Sequence, residues 1–126
     1  MIGPPLLVDS ITEAVDSGAG RIVISGSHGG LSSGRYALRA RPALVVFNDA
    51  GVGKGAAGIA ALALLQDAGI AACAVAHSSA CIGQAQSTLD DGVISHCNAR
   101  AAALGLSAGQ RLCVAVQQVL RRLTSP

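Results

Sequence analysis

Short apolar runs separated by glycine-rich polar loops organise this chain. Ser10-Ile-Thr-Glu13 has the form of a capping box, and Gly18 and Gly20 offer a stop, which predicts a short helix over Ile11–Ser17. Arg21–Ser25 and Ala43–Phe47 are short, β-branched and bounded by glycine or proline, and read as buried strands. Ile70–Ala76 follows the stop at Gly69 and reads as a third. Helices are expected over Ser32–Ala40, ending before Pro42, and over the Ala/Leu-rich stretch from Gly55 to Ala68. Beyond Gly83 the periodicity blurs. Gln84–Leu89 reads as a helical turn, Gly92–Ile94 as a short fourth strand or a helix start, and Ser95 as the cap of a helix running to Leu104. Ser107–Gln110 forms a second capping box ahead of a final helix, on which Leu112, Val116, Val119, Leu120 and Leu123 share one face.

Strands that are apolar on both faces belong in a parallel sheet covered on both sides. The alternating order therefore predicts an α/β fold: a small three-layer α/β/α sandwich with a mainly parallel sheet of three to four strands. No repeat or low-complexity linker divides the 126 residues, so one domain is expected.

Composition adds an expectation about surface. Only 13% of residues are charged, against about 25% in an ordinary soluble domain, so apolar surface is expected to meet another subunit. A homo-oligomer, or assembly with a partner subunit, follows. The most apolar stretch, residues 55–76, is interrupted by Gln66, Asp67 and Gly69, short of the roughly 20 apolar residues that span a membrane. The N-terminus lacks the basic start of a secretory signal, so a cytoplasmic location is expected. A net charge of +2, no basic stripe and 2% aromatics argue against nucleic acid. Cys73, Cys81, Cys97 and Cys113 form no C-x-x-C pair; Cys73 and Cys113 read as core thiols, in a reduced compartment.

Candidate chemistry gathers in the loops after the strands, residues 26–34, 48–55 and 77–83, which a parallel sheet places along its carboxyl edge. In the middle loop, Asn48, Gly51, Gly53 and Gly55 let the backbone approach a ligand closely. Lys54, the only lysine, stands where the next helix is expected to start and wants Asp49 or a bound anion as its partner. The loop is not a Walker A motif, since Asn48 occupies the first glycine position and Gly55 the Ser/Thr position. It also lacks the acidic residue that would complete a dinucleotide fingerprint. A tight strand-to-helix turn capped by Asp49 is the purely structural alternative. In the first loop, His28 is a candidate acid/base among Ser27, Gly29 and Gly30, with a backbone-bonded loop histidine as the plain alternative. In the third, Ser78 and Ser79 are candidate ligand donors and Cys81 a candidate nucleophile, otherwise a packed thiol. His28, His77, Cys81 and His96 show no zinc spacing, so neither metal nor cofactor is expected.

The expectation is an enzyme, or enzyme subunit, for a small anionic metabolite such as a carboxylate or phosphate. Lys54 and the loop amides would hold the anion, His28 and Asp49 would share proton transfer, and Ser78 and Ser79 would orient the substrate. Isomerase, lyase or hydrolase chemistry fits better than redox chemistry. The rival reading is a non-catalytic small-molecule-binding or assembly subunit.

Overall fold

A computed structural model describes residues 2–124. Five strands form one sheet in sequence order: β1 (Leu6–Val8), β2 (Ile22–His28), β3 (Leu44–Asn48), β4 (Ala71–Val75) and β5 (Ile94–Cys97). The first four are parallel and β5 is antiparallel to β4. The α/β sandwich is as the alternation predicts, but the sheet has five strands rather than three to four. Leu6–Val8 is too short to register as an apolar run and is a strand because it pairs with Val23–Ser25.

Strands laid down in one direction with one crossover hand place all their connections on the same face. Accordingly the 3-10 turn Ile11–Ala14, helix α1 (Leu31–Ala40) and helix α2 (Ala60–Asp67) share one core with Val23, Val45, Phe47 and Ala72. After β4 the chain crosses over. Helices α3 (Ala85–Asp91), α4 (Ala99–Ala103) and α5 (Leu112–Thr124) follow, and Leu89, Ala101 and the apolar stripe of α5 cover Ile22, Ile24, Leu44, Val46 and Cys73 on the other face. The loops leaving β3 and β4 thus part to opposite faces, and a crevice opens between their carboxyl ends.

Several local expectations are corrected. The first helix is only a 3-10 turn, although its capping box forms, with Glu13 Oε1 accepting the Ser10 amide at 3.0 Å. Strand β2 runs on to His28, absorbing the start of its loop. The expected helix from Gly55 breaks into a 3-10 segment, Lys54–Ile59, and then α2. Gly55 and Ala56 are left-handed there (φ 65° and 59°), so Lys54 does not open an α-helix. Ser95 lies in β5 rather than capping a helix; the cap is Asn98, whose side chain accepts the Ala101 amide. Of the Ser107–Gln110 box only the glutamine half forms, Gln110 Oε1 accepting the Ser107 amide ahead of α5.

Helices α1 and α2 approach closely because Gly34 faces Ala61, where a Cβ on Gly34 would come within 2.9 Å of the alanine methyl.

Candidate functional site

Asp49 follows β3 directly and is 4% exposed. A buried carboxylate must be paired or hydrogen-bonded, and this one is saturated. Its Oδ1 accepts the amides of Gly51 (2.8 Å) and His77 (3.0 Å), and its Oδ2 accepts the Ser95 hydroxyl at 2.8 Å. The His77 Nδ1 lies 3.4 Å from Oδ1, a long electrostatic contact, with the imidazole 62% exposed. Burial raises the Asp49 pKa, but the Ser95 hydroxyl, the two amides and the His77 ring outweigh it and hold the carboxyl below its ordinary value. Asp49 is therefore an anion at neutral pH that holds the His77 amide and lies in electrostatic contact with its imidazole.

Ser95 reaches Asp49 because of a bulge. Ala74 stands opposite His96 and Val75 opposite Ile94, leaving Ser95 as the extra residue on β5. Ile94 and Cys97 are three apart and would face opposite sides of a regular strand, yet both pack on the same core. The bulge reconciles them and leaves Ser95 and His96 adjacent, with His96 Nδ1 at 3.0 Å from Ser95 Oγ. Ser95 has one proton, and its shortest bond places it on Asp49; His96 Nδ1 is then the donor to Ser95. Side-chain hydrogen bonds link His96, Ser95 and Asp49, and the carboxylate continues to the backbone amide of His77 and the electrostatic contact with its ring.

The His77 end opens on a cleft of about 500 Å³ whose lining includes Asn48, Ser78, Cys81, Ser87 and Asp91. Asn48 is fully buried: its Nδ2 donates to the Ala80 carbonyl and its Oδ1 accepts the Ala50 amide. The Ser79 hydroxyl donates to the Ala76 carbonyl and accepts the Val93 amide, so it braces the loop. Ser78 and Cys81 are exposed in the cleft. The His96 end borders a separate hollow of about 550 Å³ with Leu62, Gln66 and Cys97.

The other expected residues lie elsewhere. His28, Gly30, Gly53 and Gly55 line a second cleft of about 630 Å³, across the 50–58 loop from the first, with Ala50 bordering both. His28 Nδ1 accepts the Gly30 amide at 3.0 Å, so its neutral form carries the proton on Nε2. Asp49 takes His77, not His28, as its imidazole neighbour. Ser27 Oγ accepts the Ile11 amide and holds the first 3-10 turn. Gly29 bridges β3 and α2 through backbone bonds to Asn48 and Ala61. Lys54 is exposed, lines neither cleft and makes no ion pair among the described residues. No group of three or more metal-ligating side chains occurs among them.

Comparison of the chain with protein-family models, curated proteins and solved structures returned no match.

The loop joining these features is backbone-strained. Ala50, Gly51, Val52 and Gly53 all have positive φ (53°, 77°, 67° and 75°), a conformation unfavourable for alanine and more so for β-branched valine. It is held by Asp49 Oδ1 on the Gly51 amide and by the Val52 carbonyl on the Gly58 amide. Asp49 thus fixes both its own loop and His77. Sequence reasoning missed His77 as the partner of Asp49, and missed Ser95 and His96 as members of a strand; a bulge leaves no mark in hydrophobic periodicity.

Proposed function

We propose that the protein is a small-metabolite enzyme of isomerase, lyase or hydrolase type, with His77 moving the proton and Asp49 orienting it. The observation that carries the reading is a saturated, buried carboxylate beside an exposed imidazole at the mouth of a cleft. In the tautomer that carries its proton on Nδ1, toward Asp49 at 3.4 Å, the Nε2 lone pair is left for a substrate proton, and the carboxylate stabilises the imidazolium that results. Ser78 offers a hydroxyl beside it, and Cys81 a thiol.

The cleft lining narrows the substrate class. Its one basic group is His77, and its one acidic group is Asp91, bonded to Ser87. A small hydroxy or amino acid, with a carboxylate for His77 and Ser78 and a donor for Asp91, fits better than a bare phosphate dianion.

The test is thermal denaturation of wild type, His77→Gln and His28→Gln against small hydroxy acids, amino acids and phosphates, followed by proton NMR of each ligand for turnover. A ligand that binds only the folded state raises Tm by mass action. A shift abolished by His77→Gln and retained by His28→Gln supports this reading. A shift abolished only by His28→Gln moves the site to the second cleft, and no shift with any ligand overturns the proposal.

The rival, an assembly subunit, is favoured by α1, which exposes Leu31 (48%) and Tyr36 (37%). Sedimentation equilibrium of wild type against Leu31→Ser/Tyr36→Ser decides it: an oligomer that dissociates in the variant supports an interface there.

A further inference from the structure

Two thiols that the proton-transfer reading does not use face each other across the sheet. Cys73 on β4 and Cys97 on β5 are direct partners in the antiparallel register. The Asn98 amide donates to the Ala72 carbonyl at 3.0 Å, the residues flanking this pair, which makes Cys73–Cys97 a non-hydrogen-bonded pair. At such a pair the Cα atoms sit roughly 4.5 Å apart and the side chains rise on the same face. That separation falls within the roughly 4.4–6.8 Å a disulfide spans. Both side chains pack on the same core, Cys73 fully buried and Cys97 partly so, and both are free thiols.

We propose that Cys73 and Cys97 are a redox modification site that closes into a reversible cross-strand disulfide on exposure to a peroxide. Cys97, the more accessible of the two, reacts first. Its thiolate attacks one peroxide oxygen, the O–O bond breaks, and hydroxide leaves to take up the thiol proton as water. Cys73 sulfur then attacks the Cys97 sulfenic acid, the S–S bond forms, the S–O bond breaks, and a second water carries away the hydroxyl and the Cys73 proton. The balance is two thiols and one hydrogen peroxide giving one disulfide and two waters. Burial raises the pKa of both thiols, so the reaction is slow at neutral pH. The bond would pin β5 to β4 two residues from Ser95, locking the bulge that supplies Asp49 with its hydroxyl.

The experiment uses folded wild type and a Cys81→Ser/Cys113→Ser variant, which keeps only the facing pair. Each is treated with hydrogen peroxide, quenched by alkylation of free thiols, and mapped by mass spectrometry after cleavage at aspartate. Asp90 and Asp91 lie between the two cysteines, so cleavage there separates Cys73 from Cys97, and fragmentation of the linked peptides tells Cys73 from Cys81 and Cys97 from Cys113. The expected result in both proteins is a Cys73–Cys97 linked peptide pair, lighter by two hydrogens and released by dithiothreitol. Sulfinic or sulfonic acid at Cys97 beside an alkylated Cys73 would overturn the proposal, as would no oxidation of the pair. In wild type, a link from Cys97 to Cys81 or Cys113 in place of Cys73 would overturn it equally.

Discussion

Ser95 and Asp49, forty-six positions apart in the chain, meet through a 2.8 Å hydrogen bond from Ser95 Oγ to Asp49 Oδ2. The bond ties the antiparallel edge strand to the loop after β3. Through it, one buried carboxylate is joined to His96 by way of Ser95 on one side and to the amide of His77 on the other.

Replacing Asp49 separates its charge from its shape. Asp49→Asn keeps an acceptor for the Gly51 and His77 amides, and Ser95 can turn its proton to the Ala74 carbonyl, already 3.3 Å away. A loss of about 1–2 kcal/mol is expected, whereas Asp49→Ala strands two amides and should cost about 2–4 kcal/mol. Urea denaturation of the two variants measures the difference; equal losses would remove Asp49 as the organiser of the loop.

The same carboxylate gives a pH dependence. Its folded pKa is below the unfolded value of about 3.9, so its stabilisation is fully present above that value. As pH falls further, through the folded pKa, the contribution is lost. Wild type should lose stability more steeply below pH about 4 than Asp49→Asn, as read by Tm across an acid series. Parallel curves would show that Asp49 titrates alike in both states.

Ser95→Ala removes the hydroxyl without disturbing the amides on Oδ1. The expected cost is about 0.5–1.5 kcal/mol, with the His77 and His96 ring resonances both moving in NMR spectra. A change confined to His96 would show that the chain does not extend to His77.

Asn98 holds four backbone groups with one side chain. Its Oδ1 accepts the Ala72 and Ala101 amides, and its Nδ2 donates to the Leu62 and Ile70 carbonyls. Asn98→Ala removes a helix cap and leaves the buried Ala72 amide unpaired, for an expected loss of about 3 kcal/mol or more. Chemical denaturation beside Ser79→Ala provides the comparison, and the asparagine change should be the larger.

Gly58 is where a side chain cannot enter. A Cβ there would meet the Asp49 carbonyl oxygen at 2.2 Å and the Val52 carbonyl oxygen at 2.9 Å, both backbone atoms that cannot swing away. Gly58→Ala should displace the 50–58 loop and cost about 1–3 kcal/mol. Unchanged amide shifts at Gly51 and Gly53 would contradict this.

The sequence by itself determined the layers. Arg21–Ser25, Ala43–Phe47 and Ile70–Ala76 announce β2, β3 and β4 because a strand buried on both faces must be apolar at every position. Pro42 likewise marks the end of α1 and the Ser107–Gln110 box the approach to α5, and the order alone places loops 48–55 and 77–83 at one edge. Only the tertiary structure decided which side chains meet there. Leu6–Val8 is a strand through its partner, and Ser95 turns from an expected helix cap into a bulge residue because β5 must return antiparallel along β4. Asp49 faces His77 and Ser95 rather than Lys54 or His28, since a buried carboxylate takes the donors that neighbouring strands bring to it. Those pairings are long-range and set by register, and strands that are apolar at every position carry no alternation from which register could be read.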